Sequence, residues 1–187
     1  MERLHTFPRL ETPRLILREM TLGDLEFYFH HFNLQQIAEG TCFPGPTTLE
    51  AAKEELERYC INPFHEHRGI RWGIVLKEEG DLIGTLGFYD WNKAERKAEI
   101  GYDLKPTYWG VGIMTEALHT VLHFCFETMG VNRVQAIIPV ENHRSKKLVR
   151  RLGFTQEGVL RQNSFFLGTF RDDACFSLLR EEWSEAT

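Results

Sequence analysis

The sequence predicts an α+β fold of one domain, a mostly antiparallel mixed sheet flanked by helices. Three observations carry this. Residues 71–76 and 82–89 are β-prone runs joined by the turn Glu78-Glu79-Gly80-Asp81, the pattern of a hairpin. Residues 97–104 alternate like a strand, then pass through a glycine-bearing turn into apolar positions Met114, Ala117, Leu118, Val121, Leu122 and Cys125 at helical spacing. Residues 133–138, 155–160 and 174–179 supply further strands, with one helical stretch among them. All 187 residues are read as a single domain with its core over about 12–183, long enough to bury a substantial interior.

Taken in order, residues 12–18 form the first strand, with Leu15 and Leu17 alternating against outer positions. Thr21 caps a helix carrying Leu22, Leu25 and Phe29. Residues 32–46, with Gly40, Pro44, Gly45 and Pro46, read as a loop with room for one helical turn, placed to shape a substrate mouth. Thr47-Thr48-Leu49-Glu50 reads as a capping box, and the helix it opens runs through Ala51, Leu56 and Tyr59 until Asn62-Pro63 stops it. After the hairpin, a turn at Trp91-Asn92-Lys93 leads to the fourth strand, residues 97–104. The fifth, residues 133–138, ends at Pro139; a helix follows over 142–151, with Leu152-Gly153-Phe154 as its glycine C-cap. The last two strands are joined by an aromatic loop, residues 164–168.

Composition narrows the function classes. The chain is 42% hydrophobic and 26% charged, with a net charge of −5, which argues against direct binding of a nucleic-acid backbone; a basic patch does occur at 143–151. No apolar run approaches the roughly 20 residues of a membrane span, and the start lacks a signal-peptide core. Four scattered cysteines without a Cys-x-x-Cys pair read as reduced thiols, so the expected compartment is the cytoplasm.

The turn Tyr108-Trp109-Gly110-Val111-Gly112-Ile113-Met114-Thr115 is the centre of the chain's chemistry. Glycines admit a close ligand, and a helix's first turn leaves N–H donors unpaired at the positive end of its dipole, which suits phosphate; the alternative is a tight connection that binds nothing. A P-loop is excluded because Ile113 and Met114, not Lys and Ser/Thr, follow Gly112. A dinucleotide fingerprint would need three spaced glycines after a first strand, and fits poorly. Gly101 inside the fourth strand and Pro139 at the end of the fifth are poor ladder residues. If those strands are neighbours, they should splay there and accept an extended amide ligand; otherwise Pro139 only ends an edge.

Together these pieces resemble the GNAT superfamily of acetyl-CoA-dependent N-acetyltransferases, and within it the RimJ/RimL-type ribosomal-protein N-acetyltransferases. The resemblance runs nearly end to end: Thr12-x-Arg14-Leu15-x-Leu17-Arg18; Leu82-Ile83-Gly84 with Ala98-Glu99-Ile100-Gly101-Tyr102; Trp109-Gly110-x-Gly112-x-Met114-x-Glu116-Ala117; Asn142-x-x-Ser145 with Leu152-Gly153-Phe154; and Arg171-Asp172 with Leu178-Leu179-Arg180-Glu181-Glu182-Trp183. It implies a GNAT-like sheet splayed at the fourth and fifth strands. It implies that Trp109, Gly110, Val111, Gly112, Ile113, Met114 and Thr115 bind the CoA pyrophosphate by backbone amides. The pantetheine arm would lie between Ile100-Gly101-Tyr102 and Pro139, with Asn142 and Ser145 contacting it. Two departures stand out: Trp109 and Met114 replace the loop's usual terminal residues, and Val149 occupies the position of a tyrosine general acid.

The implied reaction is attack of a neutral primary amine on the acetyl thioester, with no metal. Backbone N–H groups near Ile100 to Tyr102 could polarise the carbonyl. Glu99, on the strand face opposite Ala98, Ile100 and Tyr102, is the candidate base, or else a solvated strand glutamate. Ser145 is the candidate donor to the departing thiolate, or else a pantetheine contact or cap hydroxyl. His119 and His123 share a helix face but lack the glutamate of a His-Glu-x-x-His zinc site; His65-Glu66-His67 reads as loop. Phe165-Phe166 is either a lid over the acceptor or a core-packing pair. The expected acceptor is a protein N-terminus such as that of a ribosomal protein. The alternatives are a polyamine or other small amine, or a non-catalytic acyl-CoA-binding module. A homodimer is compatible with the sequence, which does not specify oligomeric state.

Overall fold

One eight-stranded sheet runs through residues 6–183, the residues described by the computed structural model. Its strands are β1 (Leu10–Glu11), β2 (Leu15–Glu19), β3 (Ile70–Leu76), β4 (Leu82–Asn92), β5 (Lys97–Leu104), β6 (Arg133–Pro139), β7 (Thr155–Phe166) and β8 (Thr169–Leu179). The spatial order is β1-β2-β3-β4-β5-β6-β8-β7, antiparallel throughout except for the parallel pair β5–β6. The helices are α1 (Leu25–Phe32), α2 (Gln35–Thr41), α3 (Leu49–Leu56), α4 (Asn62–His65), α5 (Ile113–Glu127) and α6 (His143–Arg151).

The apolar stripe read from the sequence, Met114 through Cys125, is the buried face of α5. It packs on Ile70, Trp72, Ile74, Ile100 and Val134 of the sheet, forming the larger core. Burial of each such side chain stabilises by about 1.5–3 kcal/mol, so this helix is anchored far more by packing than by its own ladder. A second cluster, Met20, Tyr28, Phe32, Ile37, Leu56 and Cys60, is built around α1 to α3.

Several boundaries differ from expectation. Residues 32–46 contain α2, seven residues ended by Cys42 in the left-handed region at φ 50°, rather than a loop with one turn. Thr48 caps α3 by accepting from the Ala51 N–H; with Ala51 rather than Glu50 at the third helical position, the reciprocal half of a capping box is lost. Asn62-Pro63 does not stop the helix. A π turn over Glu57–Ile61 intervenes, with the Asn62 N–H donating to Glu57 O, and this wider turn lets Pro63, which has no N–H, open α4. Near the start, the strand begins at Leu15 rather than Thr12, because Thr12 and Arg14 are bonded to Glu116 instead. Strand β4 continues to Asn92, which pairs with Lys97, so the turn falls after Asn92. The aromatic loop belongs to the long β7–β8 hairpin, whose two-residue turn is Leu167-Gly168, both at positive φ.

The feature that positions the site is the parting of β5 from β6. They pair only at Lys97–Arg133, Ala98–Val134 and Glu99–Gln135. Beyond that point β5 stays on β4 and β6 stays on β8 through Pro139–Asp173, so the two halves of the sheet open like a V. The opening starts at Ile100. Gly101 sits in regular register opposite Gly87 and is no bulge; a Cβ there would lie 2.9 Å from Cε1 of the Tyr89 ring.

Candidate active site

A cleft of about 920 Å³ follows this V, a size typical of small-molecule sites. At one end lies the turn into α5. Gly110 and Gly112 take φ 81° and 82°, the left-handed region that glycine enters without a Cβ penalty. The first intrahelical bond is Glu116 N–H to Gly112 C=O at 3.1 Å, so the helix offers no acceptor to the N–H groups of Ile113, Met114 and Thr115. Such a run of main-chain donors is an anion-binding surface. Gly110, Gly112, Ile113, Met114, Thr115 and Trp109 line the cleft; Val111 faces outward, 59% exposed.

The turn is braced from behind. Arg14 donates from Nη1 to the Val111 carbonyl at 3.0 Å and from Nε to Glu116 Oε2 at 2.6 Å. Glu116 Oε1 also accepts from the Arg14 backbone N–H and the Thr12 hydroxyl. Burial raises the Glu116 pKa, but these three donations and the Arg14 charge outweigh it and hold the carboxyl below the usual range. Thr12-x-Arg14 and Glu116, far apart in the chain, are therefore one clamp. On the cleft side, the Arg144 guanidinium stacks 3.5 Å over the Trp109 ring, whose Nε1 donates to Leu104 O.

The two faces of β5 carry different chemistry. Tyr102 extends to Ser145 on α6, hydroxyl to hydroxyl at 2.6 Å, and burial pushes the Tyr102 phenol up to about 12. Val149, at the position of the familiar tyrosine acid, is 1% exposed and packs in the core. Tyr102 thus supplies a phenol from a different element. Asn142 caps α6, its Oδ1 accepting from the Ser145 N–H, and its Nδ2 donates to Gly40 O in α2 at 2.9 Å. The cap of α6 is therefore Asn142, and the Ser145 hydroxyl is left to Tyr102.

On the opposite face, Glu99 lies outside the cleft wall, directly across from Tyr89 in the β4–β5 register. Tyr89, which lines the cleft, donates its hydroxyl to Glu99 Oε1 at 2.7 Å, and Gln135 donates to Oε2 at 3.2 Å. Burial raises the Glu99 pKa against the lowering effect of these bonds. Beside Tyr89 is a buried network that sequence reasoning missed. Asp103 Oδ1 bonds His31 Nε2 at 2.7 Å and accepts from the Thr85 N–H; Oδ2 accepts from Arg71 Nη2 at 2.6 Å and from the Thr85 hydroxyl. Desolvation raises the Asp103 pKa, yet His31 and Arg71 overcome it and keep the group below the usual carboxylate range. Arg71 reaches across Gly87 and Gly101, its register neighbours, and its Nη1 lies 3.6 Å from where a Gly101 Cβ would be.

The remaining candidates resolve plainly. Ile100, Gly101, Tyr102, Pro139, Asn142 and Ser145 all line the cleft. So do Phe32, Ile37, Gly40 and Phe43 from the region read as a substrate mouth. Phe166 is buried, while Phe165 packs on Phe170 and is 61% exposed; neither lines the cleft. His119 packs against Trp183, and His65 pairs with Glu19 at 3.3 Å. Among the described residues no group of three or more His, Cys, Asp or Glu is placed to hold a metal, and no helix is long and apolar enough to cross a membrane.

Fold and cleft together define an acyl-CoA-dependent transferase with a V-shaped sheet opening. An acetyltransferase (GNAT) domain model matches residues 14–155, and the chain belongs to the GNAT family. It is an N-acetyltransferase that uses acetyl-CoA to acetylate an amine. It is 35% identical to an uncharacterized N-acetyltransferase, YoaA, of Bacillus subtilis, over 93% of this chain and 98% of that one. It is 29% identical to the [ribosomal protein uS5]-alanine N-acetyltransferase of Escherichia coli, over 66% of this chain and 65% of that one. The solved spermidine N-acetyltransferase from Vibrio cholerae in complex with CoA and spermine shares the fold, with a TM-score of 0.80, 23% identity, and coverage of 91% and 98%.

Proposed function

We propose that this chain acetylates the α-amino group of a protein N-terminus, a ribosomal protein being the model acceptor, in the cytoplasm. The observation that carries the acetyl-transfer chemistry of this reading is the pair of hydroxyl contacts flanking β5, Tyr89–Glu99 on one face and Tyr102–Ser145 on the other, at the strand where the sheet opens. The four unbridged cysteines agree with the compartment. The Escherichia coli relative supports the acceptor class, and polyamine acetylation, for which the Vibrio cholerae relative speaks, is the runner-up.

In this proposal the turn at Gly110 to Thr115 holds the pyrophosphate and the edges of β5 and β6 hold the pantetheine. Holding amine and thioester together in reacting geometry contributes up to roughly 7–11 kcal/mol, the largest single effect available. The amine nitrogen bonds to the carbonyl carbon, the C–S bond breaks, and one amine proton must leave. Tyr89 accepts that proton on its oxygen as it passes its own to Glu99, which burial makes a stronger base than a free carboxylate. The departing sulfur faces Ser145 and Tyr102. A thiolate whose thiol has a pKa near 8.5 is a weaker base than the Tyr102 phenolate, whose phenol burial pushes up to about 12, so full proton transfer from Tyr102 would be uphill by roughly 5 kcal/mol. Ser145 therefore stabilises the thiolate as a hydrogen-bond donor, with Tyr102 orienting it, and solvent exchanges the protons after release.

The test is CoA-thiol release from acetyl-CoA with peptides beginning Ser, Ala or Met against spermidine, spermine and aminoglycosides. Peptide-dependent release is expected. Release with polyamines alone would overturn the assignment.

A further inference from the structure

We infer that the acceptor carries a carboxylate close to its reacting amine, and that a side pocket at the Tyr89 end of the cleft binds it. This rests on the amine-acetylation reading above. The side pocket, about 70 Å³, has room for roughly two waters' worth of ligand, which suits a carboxylate and not a ring. Arg58, Arg68 and Arg71 line it with Tyr59, and Asp90 is its one carboxylate. It shares Tyr59, Arg68, Arg71, Tyr89 and Asp90 with the main cleft, so a ligand can occupy both.

The site is built rather than incidental. Arg71 is fixed from below by Asp103 and by the Thr85 hydroxyl, which accepts from its Nε at 2.9 Å; Nη1 is turned toward Gly101, where the sheet opens. A guanidinium whose Nε and Nη2 are held along one edge presents its Nη1 side as a pre-organised carboxylate donor. Arg58 lies against the Tyr59 ring at 5.4 Å and has no ion pair among the described residues. Arg68 is paired with Glu66, but both side chains are more than half exposed, a contact worth little and easily exchanged for a ligand. Asp90 adopts φ 50° at the register shift that ends the regular β4–β5 pairing, a conformation costly for a non-glycine residue and concentrated at functional positions. A polycation entering here meets three guanidinium groups; an acidic acceptor meets donors.

The test compares peptides with Asp at position two, three or six against the same peptides with Asn, and the matching acidic dipeptides as small-molecule acceptors, in kcat/KM at fixed acetyl-CoA. An advantage of tenfold or more for Asp at position two or three, lost at position six and abolished in the double substitution Arg58→Gln/Arg71→Gln, is expected. Dipeptides equal to peptides would assign the site to a small acidic amine, and peptides alone to a protein terminus; either supports the carboxylate pocket. Equal rates for Asp and Asn, or an advantage that survives the double substitution, would overturn it. Binding of the acetylated Asp and Asn products to the enzyme–CoA complex, by calorimetry, needs no turnover. A charge preference there without thiol release would overturn the peptide-acetylation reading alone, and no preference would overturn the pocket.

Discussion

The two ends of the cleft are made of different material. The end at Gly110 to Thr115 is main chain: two left-handed glycines, the open donors of a helix start, and a clamp from Arg14 and Glu116 behind them. The end at Arg71 and Tyr89 is side chain: an arginine, a tyrosine and a buried carboxylate drawn from three neighbouring strands, with a histidine from a helix. In the proposed function, main-chain donors recognise a group common to every acyl-CoA and depend on few side-chain identities. Side-chain donors can be exchanged one at a time, so acceptor choice can change while cofactor binding is kept.

That contrast can be broken at four points. The largest expected effect is Asp103→Asn. It leaves Arg71 and His31 facing a neutral amide inside the fold, where breaking a buried pair costs about 3–5 kcal/mol. Urea unfolding should show that loss, with a raised KM for the acceptor and an unchanged KM for acetyl-CoA. A matching rise for acetyl-CoA would mean that the two ends are not independent.

Next is Glu99→Gln, expected to lower kcat by about a hundredfold, at the low end of general-base contributions. Because burial raises the Glu99 pKa and the base must be ionised, wild-type rate falls as pH drops through that raised value, and the variant should lose this acidic limb. Ser145→Ala, removing one hydrogen bond to the departing thiolate, should lower kcat by about ten- to a hundredfold and keep the limb. An unchanged acidic limb in Glu99→Gln would remove Glu99 from the proton path.

The smallest is Glu116→Ala, which releases Arg14 and the Val111 carbonyl. Loss of charged hydrogen bonds that act only by shaping the turn should raise KM for acetyl-CoA roughly tenfold with kcat preserved. A fall in kcat with KM intact would place the clamp in the chemistry instead.

Much of the cofactor end was legible before any coordinates. A strand, paired glycines and an amphipathic helix are local patterns, and local backbone geometry follows from them. The V was also anticipated at the right two strands, though for an incomplete reason. Pairing of β5 with β6 does fail before Gly101, but on its other side Gly101 pairs regularly with β4, and its missing side chain makes room for Tyr89 rather than a bulge. The Asn62-Pro63 stop failed because a π turn absorbed the proline, a local irregularity that helical spacing does not encode.

The sequence by itself determined the fold class, the glycine-bearing turn into α5, the buried stripe of α5 and the family, because each is written in residues close together or in an ordered set of motifs. Only the tertiary structure decided the acceptor end. His31 meets Asp103 across 72 positions, Tyr102 meets Ser145 across 43, and Arg71 reaches Gly101 only because β3, β4 and β5 lie in one register with glycine at the two nearer sites. Strand register is a property of packed sheets, and no spacing within a single segment contains it.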